Sequence, residues 1–242
     1  MERKKGNIFT TKCKTIVNTI NCVGVMGAGI AYEFRLRYPE MYHKYKEHVS
    51  KNKIKIGKLW LYKLKDRWIL NFPTKKHWKY PSKDEYLKKG LEKFVESYRE
   101  KGIKSIAFPL LGASHGGISK DESLKILEGY LEKVEKFGDI KIEIWDFDRG
   151  AKDDLYDELN SLFTEKTDDQ ILQEIRELEE KRTGIQKKSI EHIRSELKNI
   201  NSLIGLFGVR GIGYKTVEKI FRYVMNKKYN KKDPEFIEEI IW

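Results

Sequence analysis

Cysteine is scarce in this sequence: Cys13 and Cys22 are the only two among 242 residues. That count excludes a secreted disulfide scaffold. With no signal-peptide pattern and no apolar run long enough to span a bilayer, the chain reads as cytoplasmic, with no membrane partner. Metal-ligand spacing is missing as well. His43 and His48 fall on an expected helix, about 140° apart by the helical period, and no cysteine joins them. Neither the dinucleotide fingerprint G-x-G-x-x-G nor the Lys-Ser/Thr of a P-loop is present. The reading therefore contains no metal and no cofactor.

What is present is enough for a packed core: 39% hydrophobic residues, with 12% aromatics. Acid is in short supply in one part only. Residues 1–150 hold 32 Lys and Arg against 19 Asp and Glu, whereas residues 151–242 are close to neutral, with 17 against 18. Within that second part, residues 201–232 form a basic island of Arg210, Lys215, Lys219, Arg222, Lys227, Lys228, Lys231 and Lys232, with Glu218 as the single acid. Such a balance suits a polyanionic partner, and a solvated lysine surface is the bland alternative.

β-branched and aromatic runs predict strands at "TIVNTI" (15–20), "IGKLWLYKL" (56–64), "WILNFP" (68–73), "SIAFPLLG" (105–112) and "IKIEIWDF" (140–147). Helical periodicity fills the intervals, with a break at Pro39, and strands alternating with helices argue for a mainly parallel sheet covered on both faces, an α/β/α sandwich. From about residue 151 no strand is expected. A long charged helical stretch with a break near Gly184 follows instead. The division predicted is 1–150 for the first domain, 151–168 for a linker and 169–242 for a smaller all-α domain.

Two glycine-bearing loops stand at strand-to-helix junctions. The first carries Gly24, Gly27 and Gly29, and the second, "PLLGASHGGIS", carries Gly112, Gly116 and Gly117. Exposed N–H groups at a helix start attract phosphate, so two such loops could grip one diphosphate. Close helix–sheet packing explains glycines there too.

"GNIFTTKCKTIVNTINCVGVMGAG" together with "LLGASHGGI" resembles the macrodomain pattern. More narrowly, "NTINCVGVMGAGIA" and "NFPTKKHW" resemble the DarG type, macrodomain antitoxins that remove ADP-ribose from DNA bases. The resemblance covers roughly residues 5–148. It implies a three-layer α/β/α sandwich with a mixed, mainly parallel sheet, and a pocket for ADP-ribose. In that pocket Asn7 and Ile8 would lie near the adenine, with Trp145 or Phe147 as its aromatic neighbour. Asn21 would hydrogen-bond the distal ribose and count among the catalytic residues. Val25, Met26, Gly27 and Gly29 would form the first loop, and Leu111, Gly112, Ser114, Gly116, Gly117 and Ile118 the second. Thr74 would line the pocket, with Lys75 acting at the reacting sugar. His115 is a candidate proton carrier, because the acid that relatives carry after the second loop is absent in register and Asp121 lies two positions later. His77 and Trp78 could stack on a splayed-out base. A solvated lysine pair, a surface histidine and a core tryptophan are the structural alternatives.

The tail segment "SLIGLFGVRGIGYKTVEKIFRYV" resembles a helix-hairpin-helix element, with Arg210, Gly211, Gly213, Lys215, Thr216 and Lys219 as candidate DNA contacts. A structural hairpin or a surface for a protein partner remains open. The resemblance implies an ADP-ribosyl glycohydrolase whose partners are ADP-ribose, ADP-ribosylated DNA and a toxin ADP-ribosyltransferase. Its rivals are a non-catalytic ADP-ribose reader and a hydrolase of protein-linked ADP-ribose.

Overall fold

The computed structural model describes residues 1–178, 185–229 and 234–242. The break expected near Gly184, and Lys231 and Lys232, lie outside the described residues. The chain divides into two units: Met1–Phe147 with Pro234–Trp242, and Asp148–Asp233.

The first unit is built on a seven-stranded sheet. Its strands are β1 (Glu2–Gly6), β2 (Thr15–Asn21), β3 (Trp60–Leu64), β4 (Trp68–Lys75), β5 (Ser105–Pro109), β6 (Lys141–Phe147) and β7 (Phe236–Ile241), in the order β1-β6-β5-β2-β4-β3-β7. The first five in that order run parallel, and β3 is antiparallel to both β4 and β7. β2 is central and buried on both faces, which is why it reads as a continuous apolar run. Val17 packs with Phe94 and Leu127 on one side, below α3 (Asp84–Ser97) and α4 (Lys120–Glu135). Ile16 and Ile20 pack on the other side with Phe34 and Tyr45, from α1 (Gly29–Arg37) and α2 (Pro39–Ser50). Pro39 opens α2, a position where its missing N–H costs nothing, and so ends α1. The three-layer sandwich and its mainly parallel sheet are as expected.

Several boundaries differ. β1 is an additional strand, and "ERKKG" has no apolar alternation to signal it. It is an edge strand held by β6, and charge is what an edge tolerates. The strand expected from residue 56 begins at Trp60. Residues 151–168 are not simply a linker, since α5 (Tyr156–Glu165) lies within them, and α6 (Asp168–Leu178) already spans residue 169. The tail is not all helical either. β7 pairs with β3 along Trp60↔Ile241 to Leu64↔Phe236. Its acids accept hydrogen bonds from β3: Lys63 Nζ donates to Glu238 at 2.7 Å, and Trp60 Nε1 donates to Glu239 at 3.2 Å. The helical unit is therefore an insertion between β6 and β7. "FIEEII" gives no local sign of this, because the pairing that makes it a strand lies some 175 residues away in sequence.

The second unit contains α5, α6, α7 (Lys187–Glu196), a 3-10 turn (Leu203–Gly208) and α8 (Tyr214–Lys228). Phe163, Ile171, Ile190, Leu206 and Phe221 are among its buried side chains. Arg194 ties its helices together, donating to the carbonyls of Phe163 and Lys166 and to Asp168. Burial would raise the Glu174 carboxyl, but hydrogen bonds from Lys166, Tyr223 and Lys227 outweigh it and hold it at about 2.

Candidate functional site

The five parallel strands end along one edge, the place where open α/β sheets bind ligands. Register fixes what stands there. Gly6 pairs with Phe147, Pro109 with Trp145, and Asn21 with Lys75. From one end of the edge to the other come Asn7 and Phe147, the second glycine loop after β5, the first after β2, and Lys75 closing β4.

Asn21 spends its amide on the first loop. Its Oδ1 accepts from the N–H groups of Val23 (3.0 Å) and Val25 (3.3 Å), and its Nδ2 donates to the Val25 carbonyl at 2.5 Å. The Tyr45 hydroxyl, reaching from α2, donates to the Asn21 carbonyl. Asn21 thus shapes the loop instead of presenting an idle amide to it. Met26 is buried as the anchor, and Val25 is exposed. Beyond Gly27 the loop runs into α1, whose N-cap Ala28 supplies no side-chain bond and whose first turn has no acid. The first N–H groups of the helix keep their positive end open to an anion.

The second loop is a tight coil between two buried anchors, Leu111 and Ile118. Ile118 N–H donates to the Gly112 carbonyl at 3.2 Å, and Ala113 N–H donates to Leu110 at 3.3 Å. Only glycine fits at 116, because a Cβ there would lie 2.2 Å from the Gly112 carbonyl oxygen. The N–H groups of Ser114, His115, Gly116 and Gly117 make no hydrogen bond to any described residue. α4 behaves differently from α1. Ser119 caps it through Glu122 N–H at 3.1 Å, and Asp121 and Glu122 sit in its first turn, so Asp121 serves that helix.

The two loops meet. The His115 ring lies beside Gly29, its Cδ2 3.0 Å from where a Cβ on that glycine would stand, and Gly29 takes a φ of +57°. What His115 offers Lys75 is its backbone: Lys75 Nζ donates to the His115 carbonyl. Burial lowers the Lys75 pKa from the ordinary lysine value, and residues 67–83 contain no acid to counter it. Thr74, just before it, is buried.

At the far end Asn7 caps a 3-10 turn, accepting from Phe9 N–H at 3.1 Å, while its buried Nδ2 has no hydrogen-bond partner among the described residues. Ile8 is buried beside it, and Phe147 is 51% exposed. Trp145 is committed elsewhere, its indole donating to Glu143 at 2.9 Å, so Phe147 is the aromatic face left open. Glu143 is fully buried. Burial would raise its carboxyl, but bonds from Lys4, Thr11, Trp145 and Lys141 hold it at about 2. Through Thr11 it secures the turn that Asn7 begins. A lone acid amid "IKIEIW" was the available signal for it. Tyr45 carried no such signal.

Trp78 is 50% exposed, hence no core residue, and His77 lies against it. The remaining candidates belong to the second unit. Arg210, Gly211, Gly213 and Lys215 are exposed there, Thr216 N–H donates to Gly213 at 3.0 Å, and Lys219 follows one turn after Lys215. α8 starts without a side-chain cap or an acid in its first turn. The segment before the hairpin is the 3-10 turn, where a helix was expected. No His, Cys, Asp or Glu cluster suited to a metal occurs among the described residues, and no helix among them is long and apolar enough to cross a membrane.

A family model described as Macro domain matches residues 17–127. A curated DNA ADP-ribosyl glycohydrolase of Thermus aquaticus is 37% identical over 145 residues, 58% of this chain and 39% of the relative. The solved macrodomain of Mycobacterium tuberculosis DarG is 36% identical with a TM-score of 0.55, the match covering 59% of this chain and 96% of that one. Thermosipho africanus DarTG in complex with ADP-ribose is 31% identical with a TM-score of 0.56, over 61% of this chain and 42% of that one. The chain thus spans well under half the length of the curated Thermus relative.

Proposed function

Because this chain belongs to the macrodomain family, we propose that it is an ADP-ribosyl glycohydrolase that frees ADP-ribose from modified DNA bases. The observation that carries the reading is Lys75: a partly desolvated amine at a strand end, held against the second glycine loop, with no acid in the surrounding sequence. In this reading adenine lies against Phe147 and takes a hydrogen bond from the unpaired Asn7 Nδ2. The diphosphate rests on the N–H groups of the second loop and the open start of α1. The distal ribose then reaches Lys75. As the bond between the anomeric carbon and the base nitrogen breaks, its electron pair leaves with the base, and positive charge spreads over the anomeric carbon and ring oxygen. The neutral Lys75 amine acts on that centre, either by attacking it or by taking a proton from the attacking water.

The net positive charge of residues 1–150 favours a polyanionic substrate, and the basic hairpin before α8 holds the chain on the DNA backbone. The counterpart is a DNA ADP-ribosyltransferase, a toxin that makes the bond this enzyme breaks.

The test is release of ADP-ribose from ADP-ribosylated single-stranded DNA, and from an ADP-ribosylated protein, by the wild type and by Lys75→Ala. Lys75-dependent release from DNA alone is expected. Tight ADP-ribose binding without release from either substrate would make the chain a reader, and release from protein alone would move it to the protein-linked class. Borohydride trapping of a Lys75 adduct separates nucleophile from base.

A further inference from the structure

The turn that follows Lys75 exposes more aromatic surface than a solvated loop needs. Trp78 is 50% exposed and Tyr80 66%. His77 joins them into one surface, its ring 5.6 Å from Trp78 at 27° and 5.5 Å from Tyr80 at 52°. The turn is held in shape, since Tyr80 N–H donates to the His77 carbonyl at 3.2 Å and Lys79 N–H donates to His77 Nδ1 at 3.2 Å. It is also fixed to the site. Ser82 N–H donates to the Gly116 carbonyl at 2.8 Å, and Pro81 packs against Gly117, 3.6 Å from where its Cβ would stand.

Cations accompany the rings. Lys79 Nζ lies 5.3 Å from the Trp78 ring centre, Lys76 belongs to the same turn, and residues 76–83 include no acid. Flat π-faces among lysines fit a polyanion that carries flat rings, which is a nucleic-acid strand, better than an acidic peptide. A paired base hides its faces in the stack, so the faces available to Trp78 and Tyr80 are those of unpaired bases.

We propose that His77, Trp78 and Tyr80 form a stacking platform for the unpaired bases next to the modified one, with Lys76 and Lys79 taking their phosphates. Lys79 leaves the Trp78 ring for a phosphate when a base arrives, because a solvent-exposed cation–π contact is weaker than base stacking. The proposal rests on the hydrolase reading for its place beside Lys75. It deepens that reading by making the neighbouring nucleotides part of what is recognised, and it brings in Tyr80.

The experiment compares KM for an ADP-ribosylated pentanucleotide and for the same ADP-ribosylated mononucleotide, using the full chain and its Trp78→Ala, Tyr80→Ala and Trp78→Phe variants. Both alanine variants should raise the oligonucleotide KM about tenfold relative to the mononucleotide KM, with kcat held, and Trp78→Phe should recover most of the loss. An unchanged ratio of the two KM values would overturn the platform. Should the wild type release nothing from either substrate, the hydrolase reading fails separately. Photo-crosslinking of an unmodified oligonucleotide containing 5-iodouracil then decides: adducts on Trp78 or Tyr80 support the platform, and adducts only elsewhere overturn it.

Discussion

The starts of α1 and α8 share a local design. Each follows a glycine-bearing turn, has no side-chain cap and keeps acid out of its first turn. α4, by contrast, closes its start with Ser119 and two acids. What separates α1 from α8 is the surroundings. α1 begins at the edge where five parallel strands end, with His115 of the second loop beside Gly29, so under the proposed reading its N–H groups face one small anion. α8 begins on a helical unit with Arg210 and Lys215 exposed around it, an open surface suited to the repeating phosphates of a strand. In the proposed reading the same helix-terminal electrostatics serves ADP-ribose in one place and a DNA backbone in the other, according to what packs nearby.

That contrast breaks most sharply at Lys75. Lys75→Ala should lower ADP-ribose release by about 10²- to 10⁴-fold while DNA affinity stays within a few fold. Release should climb with pH through a Lys75 pKa below the ordinary lysine value, because the neutral amine acts and burial makes it available at lower pH. A flat profile would remove the amine from the chemistry. Next in size is Gly116→Val, which forces a side chain onto the Gly112 carbonyl; ADP-ribose affinity by calorimetry should fall about 10- to 100-fold, leaving the hairpin's DNA binding intact.

The reciprocal test is Arg210→Ala with Lys215→Ala. DNA affinity should drop and the slope of log K against log salt should shrink by about 2, with ADP-ribose affinity unchanged. Substitution is the right tool here, because truncation after residue 200 also removes β7 from the sheet of the first unit.

The smallest effect is on acid stability. Glu143 and Glu174 both titrate in the folded protein at about 2, below the ordinary value of 4.5. Each therefore contributes stability that is fully present above the ordinary value and is lost as pH falls from there towards 2. Glu143→Gln should flatten that loss for the first unit alone, as followed by near-UV circular dichroism in an acid titration.

Much of the candidate site was legible because its signals are local. Glycines at strand ends, the lysine in "PTKKHW" and the basic hairpin each declare themselves within a few residues. Asn21 was legible as a candidate residue, but its occupation was not: only the folded loop shows its amide already bonded to Val23 and Val25. Trp78 could not be assigned to core or surface from the aromatic pattern, since both use the same residue, and its exposure resolves that choice.

By itself the sequence determined the alternation of strands and helices, the two glycine loops, the break at Pro39 and the uneven charge, because these follow from propensity and periodicity over short spans. Tertiary structure alone decided that β7 returns to pair with β3, that Glu143 gathers Lys4, Thr11 and Trp145, and that the Lys75 amine is partly desolvated and bonded to the His115 carbonyl. Those outcomes depend on residues far apart in the chain being brought within hydrogen-bond reach, and on burial, which no short stretch of sequence possesses until the sheet closes around it.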